Sequence, residues 1–237
     1  MNCIFTTAFI DIANKSCRTL EQYMNWFINL CESGIYIIIY TSAIYYNKLV
    51  NLKNKYTNII EIIIKELDEL PIKKEITDEF TLPNCRNNDK DTHNYMILMN
   101  SKIYLVSETA QKYKSNYYAW IDFGIFHILH DKADAFKKLN LISNYPYKNN
   151  FIAFPGCWSN NSSFNYDSII WRFCGGFFIT DTINLYKLNE LNNNIIANYI
   201  ISKKKIVWET NIWSIIESYL NMGWYQADHN NTILNIP

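Results

Sequence analysis

The sequence lacks the charge excess and the cysteine spacing that identify several classes of protein. Its 237 residues carry 22 basic and 22 acidic side chains, so the net charge at neutral pH is zero. Without a basic excess there is no general attraction to nucleic acid or to an anionic membrane surface, and we expect no nucleic-acid partner. The six cysteines are scattered, with no CxxC pair and no histidine at the spacing of zinc ligands. We interpret them as reduced thiols of a cytoplasmic protein, which for a viral source means the host cytoplasm.

Long apolar segments are also missing. The most apolar run, GIYIIIYTSAIYY from residue 34 to residue 46, is interrupted by Thr41 and Ser42 and is too short to span a bilayer. The chain opens with MNCIFTTAFIDI, which has neither the basic part nor the long apolar part of a secretory signal. We therefore expect no membrane span and no signal peptide.

Arginine is scarce, with three arginines against 19 lysines. A planar guanidinium matches the geometry of carboxylate and phosphate groups, so each arginine is a candidate for binding one of them. The three are Arg18, Arg86 and Arg172.

Strand and helix patterns alternate through most of the chain. Apolar residues at spacings of three and four predict helices over residues 19–33, 95–113, 182–201 and 210–220, with a short helix after the second strand. Runs rich in β-branched and aromatic residues predict strands over residues 3–12, 35–40, 59–64, 117–122, 151–155, 169–178 and 222–225. Residues 71–93 are predicted to be a loop. Because strands that alternate with helices build covered parallel sheets, we expect one α/β domain with a mixed, mostly parallel sheet flanked by helices.

The stretch YYAWIDFGIFH, residues 117–127, places Asp122 at the end of an apolar strand. An unpaired buried carboxylate costs on the order of several kcal/mol, so something must compensate its charge. Open α/β sheets bind ligands beyond the carboxyl ends of their strands, and a divalent cation that bridges substrate phosphates suits such a carboxylate. Gly124, two residues later, lets backbone approach whatever Asp122 holds. The alternative is that Asp122 only caps a turn.

Three further features supply candidate site residues, and each has a structural alternative. Gly175 and Gly176 in WRFCGGFFI indicate a close approach of backbone to a ligand or to another segment, or else a β-bulge. Lys102, within an apolar helical stretch, either points at a phosphate or extends along the surface. Glu209 lies at a helix start, where a carboxylate is favoured electrostatically, so a purely structural role is also open.

Histidine is rare, with four in the chain. His127 and His130 follow the strand that ends at Asp122, and a single histidine in such a place is more often a hydrogen-bonded structural group than a metal ligand. His229 lies beside Asp228 in a polar C-terminal stretch that offers no core for it to fill. His229 is therefore the strongest of these candidates.

Taken in order, five motifs resemble the HtrL/YibB-like family of glycosyltransferases. They are TTAFIDI (residues 6–12) with Arg18 shortly after it, YMILMNSK (residues 95–102), AWIDFGIFH (residues 119–127), RFCGGFFI (residues 172–179) and WETNIW (residues 208–213). The resemblance covers nearly the whole chain. It implies a GT-A type fold with a Rossmann-like half, residues 1–122, that binds the nucleotide of a sugar donor, and a second half, residues 123–237, that faces the acceptor.

The resemblance also implies a metal site. In glycosyltransferases of this fold a DxD motif binds a divalent metal on the donor diphosphate, and a histidine near the C terminus often completes the coordination. Asp122 matches the position of the motif, Gly124 replaces its second acid, and His229 matches the histidine. The implied cofactor is Mn²⁺ or Mg²⁺, which suit an oxygen-rich site, and a UDP-sugar is the favoured donor.

The remaining roles also follow from the resemblance. Lys102 and Arg18 would neutralise the charge that develops on the leaving diphosphate. Glu209 is the candidate general base for the acceptor hydroxyl in an inverting enzyme, which is favoured over a retaining one; in a retaining enzyme it would orient the acceptor. On the first strand, Thr6, Thr7 and Ala8 are expected nearest the nucleobase, and Asp11 is a looser candidate. The expected donor-binding residues are Thr6, Thr7, Ala8, Arg18, Lys102, Asp122, Gly124, Gly175 and Gly176.

The predicted function is metal-dependent transfer of a sugar from a nucleotide-diphosphate sugar to a hydroxyl of a glycan or other acceptor, in glycan or surface-polysaccharide synthesis. A catalytically inactive nucleotide- or glycan-binding protein of the same fold is the alternative, because the second acid of the motif is missing. A metal-dependent phosphohydrolase is a third possibility, but the acidic residues are too sparse for a two-metal site. The sequence predicts no particular oligomeric state.

Overall fold

Seven strands form one sheet in the residues that the computed structural model describes, which are 2–13, 18–159 and 163–237. In chain order the strands are β1 (Cys3–Phe9), β2 (Ile37–Thr41), β3 (Ile59–Ile64), β4 (Tyr117–Ile121), β5 (Ile152–Gly156), β6 (Phe177–Asp181) and β7 (Trp224–Gln226). The helices are α1 (Leu20–Glu32), α2 (Ala43–Lys55), α3 (Pro71–Glu75), α4 (His93–Asn100), α5 (Lys102–Lys112), α6 (Lys132–Asn144), α7 (Thr182–Ile195) and α8 (Glu209–Ile216).

The strands are arranged in the order β3-β2-β1-β4-β6-β5-β7. The pairs β1–β2, β2–β3, β1–β4 and β5–β7 are parallel, whereas β4–β6 and β5–β6 are antiparallel. The sheet is therefore mixed and mostly parallel, as predicted.

Apolar layers cover both faces of the sheet, because successive side chains of a strand point to opposite sides. Tyr118 and Trp120 of β4 belong to a buried cluster that includes residues of α5, α7 and α8. Ala119 and Ile121 of the same strand belong to a second cluster with residues of α1 and α6. A strand buried on both faces is apolar throughout, which is why β2 and β4 are recognisable in the sequence.

The structure corrects three predictions of secondary structure. Residues 71–93 are not all loop, because Pro71 begins the short helix α3, where its missing N–H costs nothing. The helix predicted over residues 95–113 begins at His93 and is divided at Ser101 into α4 and α5. The strand predicted over residues 169–178 is a strand only from Phe177 onward. The apolar residues before Phe177 are buried within turns instead, so their composition resembled that of a strand.

Five cysteines lie in the described residues and are free thiols, while Cys17 lies outside those residues. Within the described parts of the chain, no helix combines the length and the apolar character required to cross a membrane.

Candidate functional site

A cleft opens where β1 and β4, which are neighbours in the sheet, reach their carboxyl ends. The strands β2 and β3 lie on one side of β1 and β4 lies on the other, so the chain connections diverge between β1 and β4. In open α/β sheets this point is where ligands bind. The cleft has a volume of about 300 Å³. Its walls include residues 8–12, the β4 end with Trp120, Asp122, Phe123 and Gly124, and the side chains of Arg18, Tyr23, Tyr45, Lys90, Tyr95 and His127.

Asp122 lies at the edge of this cleft, and the structure supplies the partners that its carboxylate requires. The indole Nε1 of Trp120 donates a hydrogen bond to Asp122 Oδ1 at 2.7 Å, and Lys102 Nζ lies 3.1 Å from the same oxygen. The backbone N–H of Asp122 donates to the carbonyl of Gly176 at 2.9 Å. Both side-chain contacts use Oδ1, and 33% of the Asp122 side chain is exposed. The carboxylate is therefore anchored through one oxygen while it lines the cleft.

Lys102, the first residue of α5, is the cation that compensates this charge. Its side chain is only 1% exposed, and its ammonium also donates to Glu209 Oε1 and to the carbonyl of Gly175, both at 2.8 Å. Burial acts to lower the pKa of Lys102, but the charges of Asp122 and Glu209 and their hydrogen bonds outweigh it, so the pKa is raised. The ammonium stays charged at neutral pH and joins two carboxylates. We call Lys102, Asp122 and Glu209 the ionic cluster.

The two glycines leave room for neighbouring segments, and Gly175 leaves room for the ionic cluster. A Cβ on Gly175 would lie 2.3 Å from Glu209 Oε1, and a Cβ on Gly176 would lie 2.9 Å from Ile125 Cδ1. Both glycines lie in the turn before β6, and neither is among the residues that line the cleft. The close approach predicted from the sequence is therefore an approach to other segments of the chain. Their predicted contact with a donor stays a prediction.

Glu209 is a nearly buried member of the ionic cluster. It is the first residue of α8, its side chain is 7% exposed, and it does not line the cleft. The residue that precedes the helix, Trp208, provides no side-chain cap, so the carboxylate itself supplies negative charge to the helix start. The structure thus brings Glu209 together with Lys102 and Asp122, while its predicted role as general base stays a prediction.

Cationic and phenolic side chains complete the cleft. The Arg18 guanidinium lies over the ring of Trp26 at 5.4 Å, and Lys90 Nζ lies over the ring of Tyr95 at 5.0 Å. Burial, with smaller contributions that include Glu209 and Asp122, raises the pKa of Tyr95, so its hydroxyl remains a proton donor at neutral pH. Sequence reasoning predicted Arg18 but missed Lys90 and Tyr95. Little in the sequence indicated either residue, because Lys90 lies in the segment interpreted as a loop and Tyr95 lies in the first turn of a helix.

The first strand contributes fewer residues to the cleft than the sequence predicted. Thr6 and Thr7 are fully buried, and Thr6 Oγ1 donates to Thr109 Oγ1 at 3.0 Å within the core. Of the three residues predicted to lie near a nucleobase, only Ala8 lines the cleft, together with Asp11. The predicted contacts of Thr6 and Thr7 with a nucleobase stay a prediction, and neither side chain has an exposed surface that could make them.

His229 lies in a different group from Asp122. Its ring packs edge-on against Trp171, with 4.6 Å between ring centroids, and one of its nitrogens lies within 4.8 Å of the Sγ atoms of Cys157 and Cys174. Partial burial lowers the pKa of His229. The two predicted metal ligands, Asp122 and His229, form no shared coordination group in the described residues.

A Mn²⁺ or Mg²⁺ ion would be held at this cleft by carboxylate oxygens. At Asp122 the available oxygen is Oδ2, which neither Lys102 nor Trp120 binds, and Asp11 also lines the cleft. Mg²⁺ commonly uses one or two carboxylates together with substrate phosphates, so a single carboxylate is compatible with an ion that arrives with a diphosphate. The donor set fits such an ion at Asp122, and the participation of His229 stays a prediction.

His127, interpreted from the sequence as a structural group, has the contacts of one. Its Nδ1 lies 2.7 Å from the carbonyl oxygen of Gly124, and its ring contacts Trp26 at the edge of the cleft. Burial, with smaller contributions from the neighbouring cations, lowers the pKa of His127, so the ring is neutral at neutral pH.

No family model and no curated protein sequence matches this chain. Solved structures do match over nearly its whole length. Apo mouse xyloside xylosyltransferase 1 matches with a TM-score of 0.50 at 7% identity, covering 96% of this chain and 86% of that chain. A CMP:2-keto-3-deoxy-manno-octonic acid synthetase complexed with CTP matches at a TM-score of 0.48 and 7% identity (96% and 90% covered). A glycosyltransferase involved in glycosylation of the major capsid of PBCV-1 matches at 0.46 and 8% identity (96% and 83% covered).

At such low identities the likeness concerns the fold alone. The predicted resemblance to the HtrL/YibB-like family stays a prediction. The fold class predicted from the sequence is confirmed: this chain has a mixed α/β fold of the GT-A, Rossmann-like type, with a mostly parallel sheet flanked by helices.

Proposed function

We propose that the protein transfers a sugar from a nucleotide-diphosphate sugar to a hydroxyl acceptor, with the cleft between β1 and β4 as the donor site. The observation that carries this proposal is the position of Asp122. Its carboxylate is fixed through Oδ1 by Lys102 and Trp120, and it lines a cleft at the point where the strand connections diverge. A fixed carboxylate at that point is suited to chemistry on a bound ligand rather than to capping a turn.

The other walls of the cleft suit the parts of such a donor. Arg18 and Lys90 carry positive charge to the cleft, which favours a diphosphate. Phe9 lies at its base with Tyr45 and Tyr23, at centroid separations of 4.7 Å and 5.4 Å. Aromatic faces of this kind pack well against a nucleobase or the apolar face of a sugar. The likeness to a xylosyltransferase supports the fold of such an enzyme and does not identify the sugar.

We further propose that Asp122, rather than Glu209, is the carboxylate that contacts the substrates. A carboxylate that holds the donor's ion must face the cleft, and a general base must come within hydrogen-bond distance of the acceptor hydroxyl. Asp122 lines the cleft, whereas Glu209 is nearly buried behind Lys102. Glu209 then acts as a positioning residue, because its carboxylate holds the ammonium that fixes Asp122.

We also propose that a divalent ion, Mn²⁺ or Mg²⁺, binds together with the donor. On the protein, Asp122 would hold this ion. When bound, such an ion supplies positive charge to the diphosphate leaving group. Arg18 and Lys90 supply charge to the same cleft, and Tyr95 contributes a hydroxyl that donates hydrogen bonds. The first half of the chain, which builds most of these walls, would hold the donor, and the second half would face the acceptor.

The test is a panel of nucleotide sugars, with UDP, GDP, CDP and CMP as carriers, each added with and without Mn²⁺. Thermal stabilisation measures binding, and release of the nucleotide measures turnover. We expect at least one donor to stabilise the protein and to be hydrolysed slowly. The variant Asp122→Asn is expected to lower that turnover about 100-fold or more, because the neutral amide no longer holds the ion that supplies charge to the leaving group. Lys112→Gln, on an exposed side chain outside the cleft, is the matched control.

Glu209→Gln separates the two proposed roles. If Glu209 only positions Lys102, this variant retains more turnover than Asp122→Asn, and its loss is accompanied by lower stability. If Glu209→Gln and Asp122→Asn lose turnover equally and Glu209→Gln is as stable as the wild type, the result would support Glu209 as the general base. If no nucleotide sugar stabilises the wild-type protein, the proposal fails.

An inactive nucleotide- or glycan-binding protein is the second candidate function. Two observations favour it, which are the glycine in place of a second acid and the ammonium already bound to both carboxylates of the cluster. This candidate predicts donor binding without release of nucleotide under any acceptor condition.

A further inference from the structure

Three side chains from separate segments meet in a group that the proposed sugar transfer does not use. Cys157 follows β5, Cys174 lies in the turn before β6, and His229 follows β7. The two Sγ atoms lie 3.5 Å apart, and the three potential ligand atoms lie within 4.8 Å of one another. Among the described residues this is the only group of three or more histidine, cysteine or acidic side chains with such a spacing.

The backbone holds these ligands in place. The N–H of Cys174 donates to the carbonyl of Pro155 at 2.7 Å, and the N–H of Cys157 donates to the carbonyl of Trp171 at 3.1 Å. The ring of Trp171 also supports the edge of His229. Two backbone hydrogen bonds thus fix the two thiols side by side, and the ring of Trp171 orients the imidazole.

The two thiols form a hydrogen bond of 3.5 Å, so they are not joined in a disulfide, which requires about 2.05 Å between sulfurs. Two thiolates on a tetrahedral zinc ion, with bonds of about 2.3 Å, stand about 3.8 Å apart. The hydrogen bond therefore holds the sulfurs close to the separation that zinc requires. His229 is exposed, so its ring has room to move on the order of 1 Å toward the sulfurs, as zinc–nitrogen bonds of about 2.0 Å require.

We propose that Cys157, Cys174 and His229 form a binding site for one Zn²⁺ ion, with a fourth position open to water. Two thiolates and one imidazole are ligands that select zinc over Mg²⁺ or Mn²⁺, which prefer oxygen. Binding forms two Zn–S bonds and one Zn–N bond. Each thiol loses its proton to the solvent, so two protons are released for each ion bound.

The zinc site connects to the proposed active site through the chain. Cys174 directly precedes Gly175, whose carbonyl accepts a hydrogen bond from Lys102. A bound zinc ion would therefore fix both the turn that supports the ionic cluster and the segment after β7. This assignment competes with the predicted role of His229 beside Asp122, and the two lead to different measurements.

The test uses the full chain, reduced and kept free of oxygen, and titrated with Co²⁺ and then with Zn²⁺. Co²⁺ bound to thiolates in a tetrahedral site gives intense charge-transfer absorption, which Zn²⁺ then displaces. We expect one ion per chain. Cys157→Ser and His229→Gln, both at positions that are not fully buried, are each expected to weaken binding about tenfold or more and to change the cobalt spectrum. The matched control is Cys85→Ser, at an exposed free cysteine, which should bind as the wild type does.

A wild-type protein without thiolate absorption, or one whose affinity is unchanged in both Cys157→Ser and His229→Gln, overturns the zinc site. The variant Asp122→Asn distinguishes this site from the predicted one. Its cobalt spectrum should match that of the wild type if His229 binds with the cysteines, and should be altered if His229 binds together with Asp122. Zinc binding is measured without any nucleotide, so its outcome is independent of the proposed transfer.

Discussion

At the scale of single residues, the main feature of the molecule is that one buried ammonium serves two carboxylates. Transfer of an unpaired charge into a protein interior is so costly that such groups persist only when paired and hydrogen-bonded. Lys102 meets this condition with contacts to Asp122, Glu209 and the carbonyl of Gly175. Trp120 contributes twice, because its N–H binds Asp122 and its ring lies 5.6 Å from Lys102 Nζ.

Replacement of Lys102 by methionine is expected to destabilise the protein by about 3 kcal/mol, within the range for breaking a buried ion pair from one side. The variant keeps the volume of the side chain but leaves Glu209 nearly buried without its cation. The expected loss of stability is at the lower end of this range, because Asp122 is partly exposed and water can solvate its carboxylate. Equilibrium unfolding in urea measures the change.

Lys112→Met provides the comparison and should cost about 1 kcal/mol or less, because Lys112 is half exposed and Glu108 keeps its ion pair with Lys65. The double variant Lys102→Met/Glu209→Gln should recover part of the lost stability, since it removes the unpaired charge of Glu209. Equal effects of Lys102→Met and Lys112→Met would contradict this account of the cluster.

At the scale of elements, the sequence predicted those whose pattern is local. The strand over residues 59–64 has the bounds that were predicted, and α1 begins at Leu20 after the capping residue Thr19. The break between α4 and α5 was not predictable from periodicity, because it depends on a tertiary contact. There, Asn100 Nδ2 donates to the carbonyl of Val207, a residue far away in the sequence.

The start of α7 shows how one capping residue can also join two strands. Asp181 Oδ1 accepts a hydrogen bond from the N–H of Asn184, and Asp181 Oδ2 accepts one from the N–H of Phe151, just before β5. Asp181→Ala removes both bonds and is expected to cost about 2 kcal/mol, the upper part of the range for a lost cap. Thermal or urea unfolding measures the loss.

Asp131, which caps α6 through a single bond to the N–H of Asp134, is the matched control, and Asp131→Ala should cost about 1 kcal/mol. Asp181→Asn keeps one acceptor oxygen and should be intermediate. If the two alanine variants cost the same, the bond to Phe151 contributes nothing and this account of Asp181 is wrong.

At the scale of the whole molecule, the sheet order decides which distant residues meet. The position of Asp122 at the carboxyl end of a strand was predictable, because a polar residue ended an apolar run. Its partner was not, since Lys102 and Glu209 lie 107 residues apart in the chain and only the tertiary fold brings them together. For the same reason the sequence did not reveal the group formed by Cys157, Cys174 and His229. Their separations along the chain match no zinc-ligand spacing within one segment. Sequence spacing detects sites built from one segment, whereas these are built from several.

The most direct test of the central claim is a crystal structure of the protein soaked with Mn²⁺ and UDP, with CDP and GDP soaked in parallel. We expect at least one nucleotide to occupy the cleft between β1 and β4. Its base should lie against the aromatic wall at Phe9, and its diphosphate should face Asp122, Arg18 and Lys90. A nucleotide bound elsewhere, or a cleft that stays empty in all three soaks while the crystals remain ordered, would contradict the assignment of this cleft as the donor site.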